Sequence, residues 1–165
     1  MAATYEPIAS TTLGSAASSV TLSALPTTYT DLIVVLWGQG TDINARSHAL
    51  RFNSDTGSNY SVTLLDGNGT TASSSRASSQ VLAFVGAMAK STDSPSPTIV
   101  HVMSYANTNV YKTILSESAL PALNVRRYVN LWRSTAAIDS ITWLRNDGTN
   151  IAAGGQMSIY GIKAA

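Results

Sequence analysis

The sequence contains no cysteine, and this absence removes several kinds of chemistry at once. Disulfide bonds, thiol catalysis and cysteine-ligated zinc sites all require that residue. The absence is compatible with assembly in a cytoplasm followed by a role outside the cell. It therefore does not by itself locate the protein.

Charged residues are also scarce. They make up 12% of the chain, which is about half the share of an average soluble protein. The net charge of +1 creates no long-range field toward nucleic acid. The local basic cluster, Arg126 and Arg127 with Arg133, is explained more simply by a solvated strand edge or a subunit contact than by phosphate binding. We therefore predict no nucleic-acid partner.

Long apolar runs are missing as well. No stretch approaches the roughly 18 apolar residues that a membrane span needs, and residues 1–10 lack the basic and apolar regions of a signal peptide. We predict no membrane partner. A heptad pattern is also absent, so the sequence predicts no coiled-coil shaft.

What the chain does contain is a series of short apolar runs separated by clusters of Ser, Thr, Gly, Asn and Asp. Each run has the length of one β-strand, and an apolar content of 44% is sufficient for a core. The pattern predicts a single-domain, all-β antiparallel sandwich of nine or ten strands. The clearest runs are Val20–Leu25, Leu32–Trp37, Val81–Val85, Thr98–Met103, Tyr111–Leu115 and Met157–Ile162.

The chain divides into two predicted parts. Residues 1–19 form an N-terminal arm that includes an edge strand at Tyr5–Ile8, and residues 20–165 form the sandwich. The segment Thr30–Trp37 is apolar at every position from Leu32 onward, which predicts a central strand buried on both faces. The Ser-rich segment Thr70–Ser79 predicts an exposed loop, and Leu120–Leu123 a short turn.

No set of residues predicts catalysis. His48 and His101 are the only histidines, both lie in strand-like sequence, and neither belongs to a nucleophile elbow. The carboxylates fall mostly in loops, where Asp is common in turns, and their spacing does not favour a glycosidase pair. We therefore predict a structural or binding protein without a cofactor. A polysaccharide-degrading enzyme is a further hypothesis, after the structural protein and the binding protein.

One loop weakly resembles a calcium site. Between Asn53 and Asn59, oxygen-bearing side chains alternate around a central Gly57, with Asp55 as the single carboxylate. The closing glutamate of a calcium loop is missing. A hydrogen-bonded turn therefore explains the segment better, and Asn53, Asp55 and Asn59 are kept only as a weak metal candidate.

Five segments resemble a family of tailed-bacteriophage virion proteins. Members occur as free-standing capsid decoration (cement) proteins and as terminal modules of tail proteins. The resemblance covers nearly the whole chain and rests on turn and strand motifs. These are Tyr5-Glu6-Pro7-Ile8-Ala9, Tyr29-Thr30-Asp31-Leu32, Phe52-Asn53-Ser54-Asp55-Thr56-Gly57-Ser58-Asn59-Tyr60-Ser61, Leu131-Trp132-Arg133-Ser134-Thr135-Ala136-Ala137-Ile138 and Ser158-Ile159-Tyr160-Gly161-Ile162-Lys163.

The resemblance implies a jelly-roll-like sandwich on the virion surface, commonly a trimer, and it supplies no catalytic residues. We expect a decoration protein that clamps the major capsid protein as a homotrimer. A tail-associated protein that binds a receptor or a host surface glycan is the alternative, although an attachment segment is not evident. Candidate contact residues are Tyr5 in the arm, the strand tryptophans Trp37 and Trp132, and the basic pair Arg126 and Arg127.

Overall fold

The computed structural model describes residues 5–120 and 123–163, and all regular secondary structure in these ranges is β-strand. Within them there is accordingly no helix that could cross a membrane. The strands are β1 (Tyr5–Thr12), β2 (Ser19–Ser23), β3 (Asp31–Gly38), β4 (Arg46–Phe52), β5 (Tyr60–Gly67), β6 (Ala72–Gln80), β7 (Ala83–Met88), β8 (Ser96–Val102), β9 (Lys112–Leu120), β10 (Asn124–Trp132), β11 (Ser140–Arg145) and β12 (Gln156–Ile162).

These strands form two antiparallel sheets of unequal size. One has eight strands in the order β1-β12-β3-β8-β9-β10-β5-β6, and the other has four in the order β2-β11-β4-β7. The two sheets pack face to face as a single jelly-roll-like sandwich. The prediction of a single-domain, all-β antiparallel sandwich is confirmed, but the described residues form twelve strands and not the nine or ten predicted.

The core lies between the sheets and follows from the strand pleat, which sends successive side chains to opposite faces. On β3, Leu32, Val34 and Leu36 point inward and are fully buried. The four-stranded sheet meets them with large side chains such as Phe52 and Trp143. Apolar burial between the layers supplies the main stabilisation of a fold of this kind.

The prediction that β3 is a central strand is correct, but the prediction that both of its faces are buried is wrong. The strand is central, between β12 and β8. Its other set of side chains, however, faces away from the smaller sheet: Ile33 and Val35 are only partly buried, and Trp37 is exposed. The run is apolar at every position, yet only one of its faces is covered.

The predicted N-terminal arm belongs to the sandwich from Tyr5 onward. The edge strand is confirmed and extends to Thr12, pairing with β12 along its length apart from a bulge between Pro7 and Ala9. Beyond it, the Leu13 and Ala17 amides donate to the carbonyls of Gly155 and Ile151. These backbone hydrogen bonds overturn the idea of a separate arm over residues 5–19. Residues 1–4 lie outside the described ranges.

The Ser-rich segment is exposed, as predicted, but it is a strand and not a loop. β6 pairs with β5 through a turn at residues 68–71, in the region where the Asp-Gly and Asn-Gly pairs predict a hairpin. Nearly every β6 side chain is exposed on both faces. The segment therefore carries no alternation of apolar residues from which a strand could be recognised. Two residues of the predicted Leu120–Leu123 turn, 121 and 122, lie outside the described ranges.

A buried polar network crosses the core around His48. The Trp143 indole donates to Nδ1 of His48 over 3.0 Å. Because an indole N–H only donates, the imidazole hydrogen lies on Nε2, which donates to the Ser96 hydroxyl at 3.0 Å. Ser96 in turn donates to the Gly38 carbonyl. The geometry requires a neutral imidazole.

We expect this network to make stability depend on pH. Complete burial, together with the charge of Arg145, lowers the pKa of His48 from 6.5 to about 3. Below pH 6.5, His48 therefore binds a proton in the unfolded chain but stays neutral in the folded protein. The contribution of His48 to the free energy of unfolding should be fully present above pH 6.5. Below that pH it should decrease by about 1.4 kcal/mol per pH unit.

Urea unfolding at pH 7 and pH 5 measures this effect. The unmodified protein should lose about 2 kcal/mol between the two conditions. A His48→Gln variant should lose markedly less, since its amide carries no titratable proton. Equal losses in both proteins would contradict the assignment of the neutral histidine.

Candidate interaction surface

The most distinctive surface of the protein is the side of the eight-stranded sheet that points away from the smaller sheet, here called the outer face. The pleat alternation assigns residues to it. On β8 these are Pro97, Ile99 and His101, and on β9 Thr113, Leu115, Glu117 and Ala119. The outer face is open to solvent because no second layer covers it in the described ranges.

Large apolar side chains occupy the middle of this face. Ile99 on β8 is 55% exposed, and its neighbours across the strands are also accessible. Contiguous exposed apolar surface on a soluble protein usually marks a contact site. The exposed apolar side chains of the outer face are Trp37, Leu65, Ile99, Leu115, Val125 and Val129.

Strand register joins these residues into rows across the sheet. Val35 is paired with Ile99, and Ile99 with Glu117. The row continues from Glu117 through Arg127 to Leu65. A second row runs from His101 through Leu115 to Val129. The apolar side chains thus form one continuous band that surrounds one pair of opposite charges. Two further charged residues, Asp31 on β3 and Arg76 on β6, lie on the same face outside that pair.

That charge pair consists of Glu117 on β9 and Arg127 on β10. The Arg127 guanidinium donates to the Glu117 carboxylate over 2.9 Å, and the two side chains are 64% and 71% exposed. An ion pair this accessible contributes little to the stability of a monomer. Both charges remain available to a partner.

The structure brings three of the five predicted contact residues onto the outer face. Arg127 lies in its middle, Trp37 beside Pro97 on β8, and Tyr5 on the edge strand opposite Ile162. All three are exposed. The sequence prediction missed the larger apolar band between them. The one signal for this band in the sequence is that β3 carries apolar residues at both odd and even positions.

The other two predicted contact residues point to the inner side of the sheet. Trp132 is 2% exposed and packs between Phe52 and Tyr60, so it belongs to the core and the contact assignment is wrong. Arg126 is mostly buried in an ion pair with Asp66 at 2.8 Å, which leaves only part of its guanidinium accessible. Adjacent residues on a strand face opposite ways, which separates Arg126 from Arg127.

The weak metal candidate is organised as a turn. The Asp55 carboxylate accepts hydrogen bonds from the Trp132 indole, the Asn59 amide and the Gly57 backbone, at 2.7 to 2.9 Å. Asn53 is turned elsewhere, and its amide oxygen accepts from the Asp139 and Ser140 backbones. Burial opposes ionisation of Asp55, but these donors outweigh it and lower the pKa of its carboxyl. The three oxygens do not converge on one point.

Both histidines are held in place by other side chains. His101 is paired with Asp31 at 2.8 Å, and His48 is enclosed in its buried network. Within residues 5–120 and 123–163, no three His, Asp or Glu side chains come together in a way that would hold a metal ion.

A polar groove of about 430 Å³ opens at one end of the sandwich, lined by Tyr29, Thr30, Ser104, Ala106, Asn107, Thr108 and Asn109. Lys112 fixes the loop that forms it. The ammonium of this fully buried lysine donates to the carbonyls of Asn107, Val110 and Thr135 at 2.6 to 3.2 Å. The Tyr29 ring is already engaged, packing on Gly161 and lying 5.5 Å from the Lys163 ammonium. The groove offers amides and hydroxyls and has no free aromatic platform.

No protein-family model matches the chain, and no curated protein matches it.

Two adjacent residues on β3 test the assignment of the outer face. Leu36→Asp should prevent folding, because an unpaired charge in the core costs several kcal/mol, comparable to the stability of a whole domain. Trp37→Asp should leave the fold intact, since that side chain is 42% exposed. Thermal unfolding followed by circular dichroism compares the two variants. A folded Leu36→Asp protein, or an unfolded Trp37→Asp protein, would contradict the assignment.

Proposed function

We propose that the chain is a structural protein of a tailed-bacteriophage virion. In this proposal it decorates the capsid surface as a homotrimer and clamps adjoining subunits of the major capsid protein. The observation that carries the proposal is the outer face, where exposed apolar side chains on five neighbouring strands form a continuous band. The resemblance in the turn and strand motifs to decoration proteins supports the virion setting.

The clamp would act passively, through shape and copy number. A protein that binds the assembled capsid and not its separated subunits stabilises the assembly by mass action. Linking three copies adds avidity, because the second and third contacts form at high effective concentration. A rigid sandwich suits this task, since little conformational entropy is lost when it binds.

The disposition of the titratable groups supports a non-catalytic role. A general base needs a pKa near the working pH and access to a substrate. Burial lowers the pKa of His48 to about 3, and both of its nitrogens are engaged within the core.

Cryo-electron microscopy of the parent virion tests this proposal. We expect density of sandwich shape on the outer capsid surface, grouped in threes over junctions between capsid subunits. Density confined to the tail tip would contradict the decoration role. Removal of the protein should leave capsids that open at lower temperature, and capsids of unchanged stability would contradict the clamp.

The polar groove favours a second candidate, a tail-associated protein that binds a host surface glycan. Amide and hydroxyl groups converge there on a loop held rigid by Lys112, and such groups hydrogen-bond sugars well. A glycan array with the unmodified protein should then give selective hits that an Asn107→Ala/Asn109→Ala variant loses. Uniformly weak binding, or hits unchanged in that variant, would exclude the groove as the site.

A further inference from the structure

We propose that the outer face binds the same face of other copies of this chain, with Arg127 of one copy facing Glu117 of the next. This inference rests on the proposed function, because it names the surface through which the homotrimer forms. Two features of the face support it: its uncovered apolar area, and the sign and position of its charges.

The apolar band provides the driving force. Side chains such as Ile99, Val125 and Leu65 are more than half exposed in the single chain. Their removal from water is favourable by about 25 cal/mol for each Å² of apolar surface. The apolar side chains on the inner face of the same sheet are removed from water by packing against the second sheet. A copy of the sheet would supply an equivalent layer for the outer face.

The charges identify the occupant as another copy. On β8, β9 and β10, Glu117 and Arg127 are the only Glu, Asp, Lys or Arg side chains that point outward. Their opposite signs leave the middle of the face neutral, so it is not suited to a strongly acidic or basic partner. A copy brought against it by rotation presents the same pair and can place each charge beside its opposite.

The position of the pair fits a closed assembly. β9 and β10 are the fifth and sixth strands of eight, so the charges lie near the middle of the outer face. Around a three-fold axis passing this point, three Glu117 and three Arg127 side chains would alternate. In each copy, one half of the sheet would then contact one neighbour and the other half would contact the other neighbour. Contacts between two different surfaces can close into a ring in this way.

The size of the face determines how much of each contact it can supply. Eight strands spaced about 4.8 Å apart, each about seven residues long at about 3.3 Å per residue, cover roughly 900 Å². A stable protein interface uses about 800 Å² from each partner. In a trimer this face is divided between two neighbours, roughly 450 Å² for each, so it supplies about half of the area that a stable interface uses from each partner.

Two charge-reversal variants test the proposal. Glu117→Arg gives a face with two positive charges, and Arg127→Glu gives one with two negative charges. Both side chains are highly exposed, so each variant should fold. We expect each alone to associate at least tenfold more weakly than the unmodified chain in sedimentation velocity at low salt, where charge effects are least screened.

Mixing the two variants separates contacts between copies from the contact within one copy. When a Glu117→Arg chain meets an Arg127→Glu chain, opposite charges face each other again. In a mixed trimer two of three contacts are restored, so association should recover to a level between those of the single variants and the unmodified chain. Recovery also shows that both variants are folded.

Arg46→Glu is the matched control. Arg46 forms a 2.8 Å ion pair with Asp147 beside the smaller sheet, away from the outer face. This variant should associate like the unmodified chain. Undiminished association of both outer-face variants would overturn the proposal, as would the absence of recovery on mixing.

Capsid binding, measured separately by co-sedimentation with virion heads, distinguishes failure of this inference from failure of the proposed function. If the unmodified protein decorates capsids but charge reversal leaves its association unchanged, the interface assignment fails and the decoration role stands. If the variants behave as expected but the unmodified protein ignores capsids, the decoration role fails and the interface stands.

Discussion

The alternation of side chains along paired strands is the constraint on which the rest of this structure depends. Because each strand sends successive residues to opposite faces, the single second sheet of this sandwich can cover only one face of the eight-stranded sheet. The four-stranded sheet covers the central part of the inner face and buries Leu32, Val34 and Leu36 completely, while β6 at the edge is exposed on both sides. The outer face keeps Ile99, Val125 and the other members of its apolar band in contact with water.

The polar groups inside the protein are organised differently from those on the outer face. His48, Ser96 and Trp143 have definite donor and acceptor roles in a buried chain of hydrogen bonds, and buried Lys112 places its three protons on three carbonyls. Satisfied networks of this kind stabilise a unique arrangement of the sheets. By contrast, Glu117 and Arg127 are paired with each other but remain accessible, which leaves them free for interactions between copies.

Much of the fold could be predicted from the sequence, because strand-length apolar runs separated by turn residues have few alternative interpretations. The central position of β3 and the β5–β6 turn followed from local pattern. The strand character of β6 did not, since its residues are small, polar and exposed on both sides. Which side chains of a strand point inward was harder to predict than the strand itself. Trp37 and Trp132 are the same residue type in similar strands, and only the position of the second sheet decides that one is exposed and the other buried. Register likewise placed Arg127 outside and Arg126 inside.

The central claim is that this sandwich is completed by copies of itself. Sedimentation velocity of the unmodified chain over a range of concentrations tests it most directly. We expect a species with three times the 17.3 kDa mass of one chain, dissociating only on dilution. A single species of 17.3 kDa at every concentration would contradict the account.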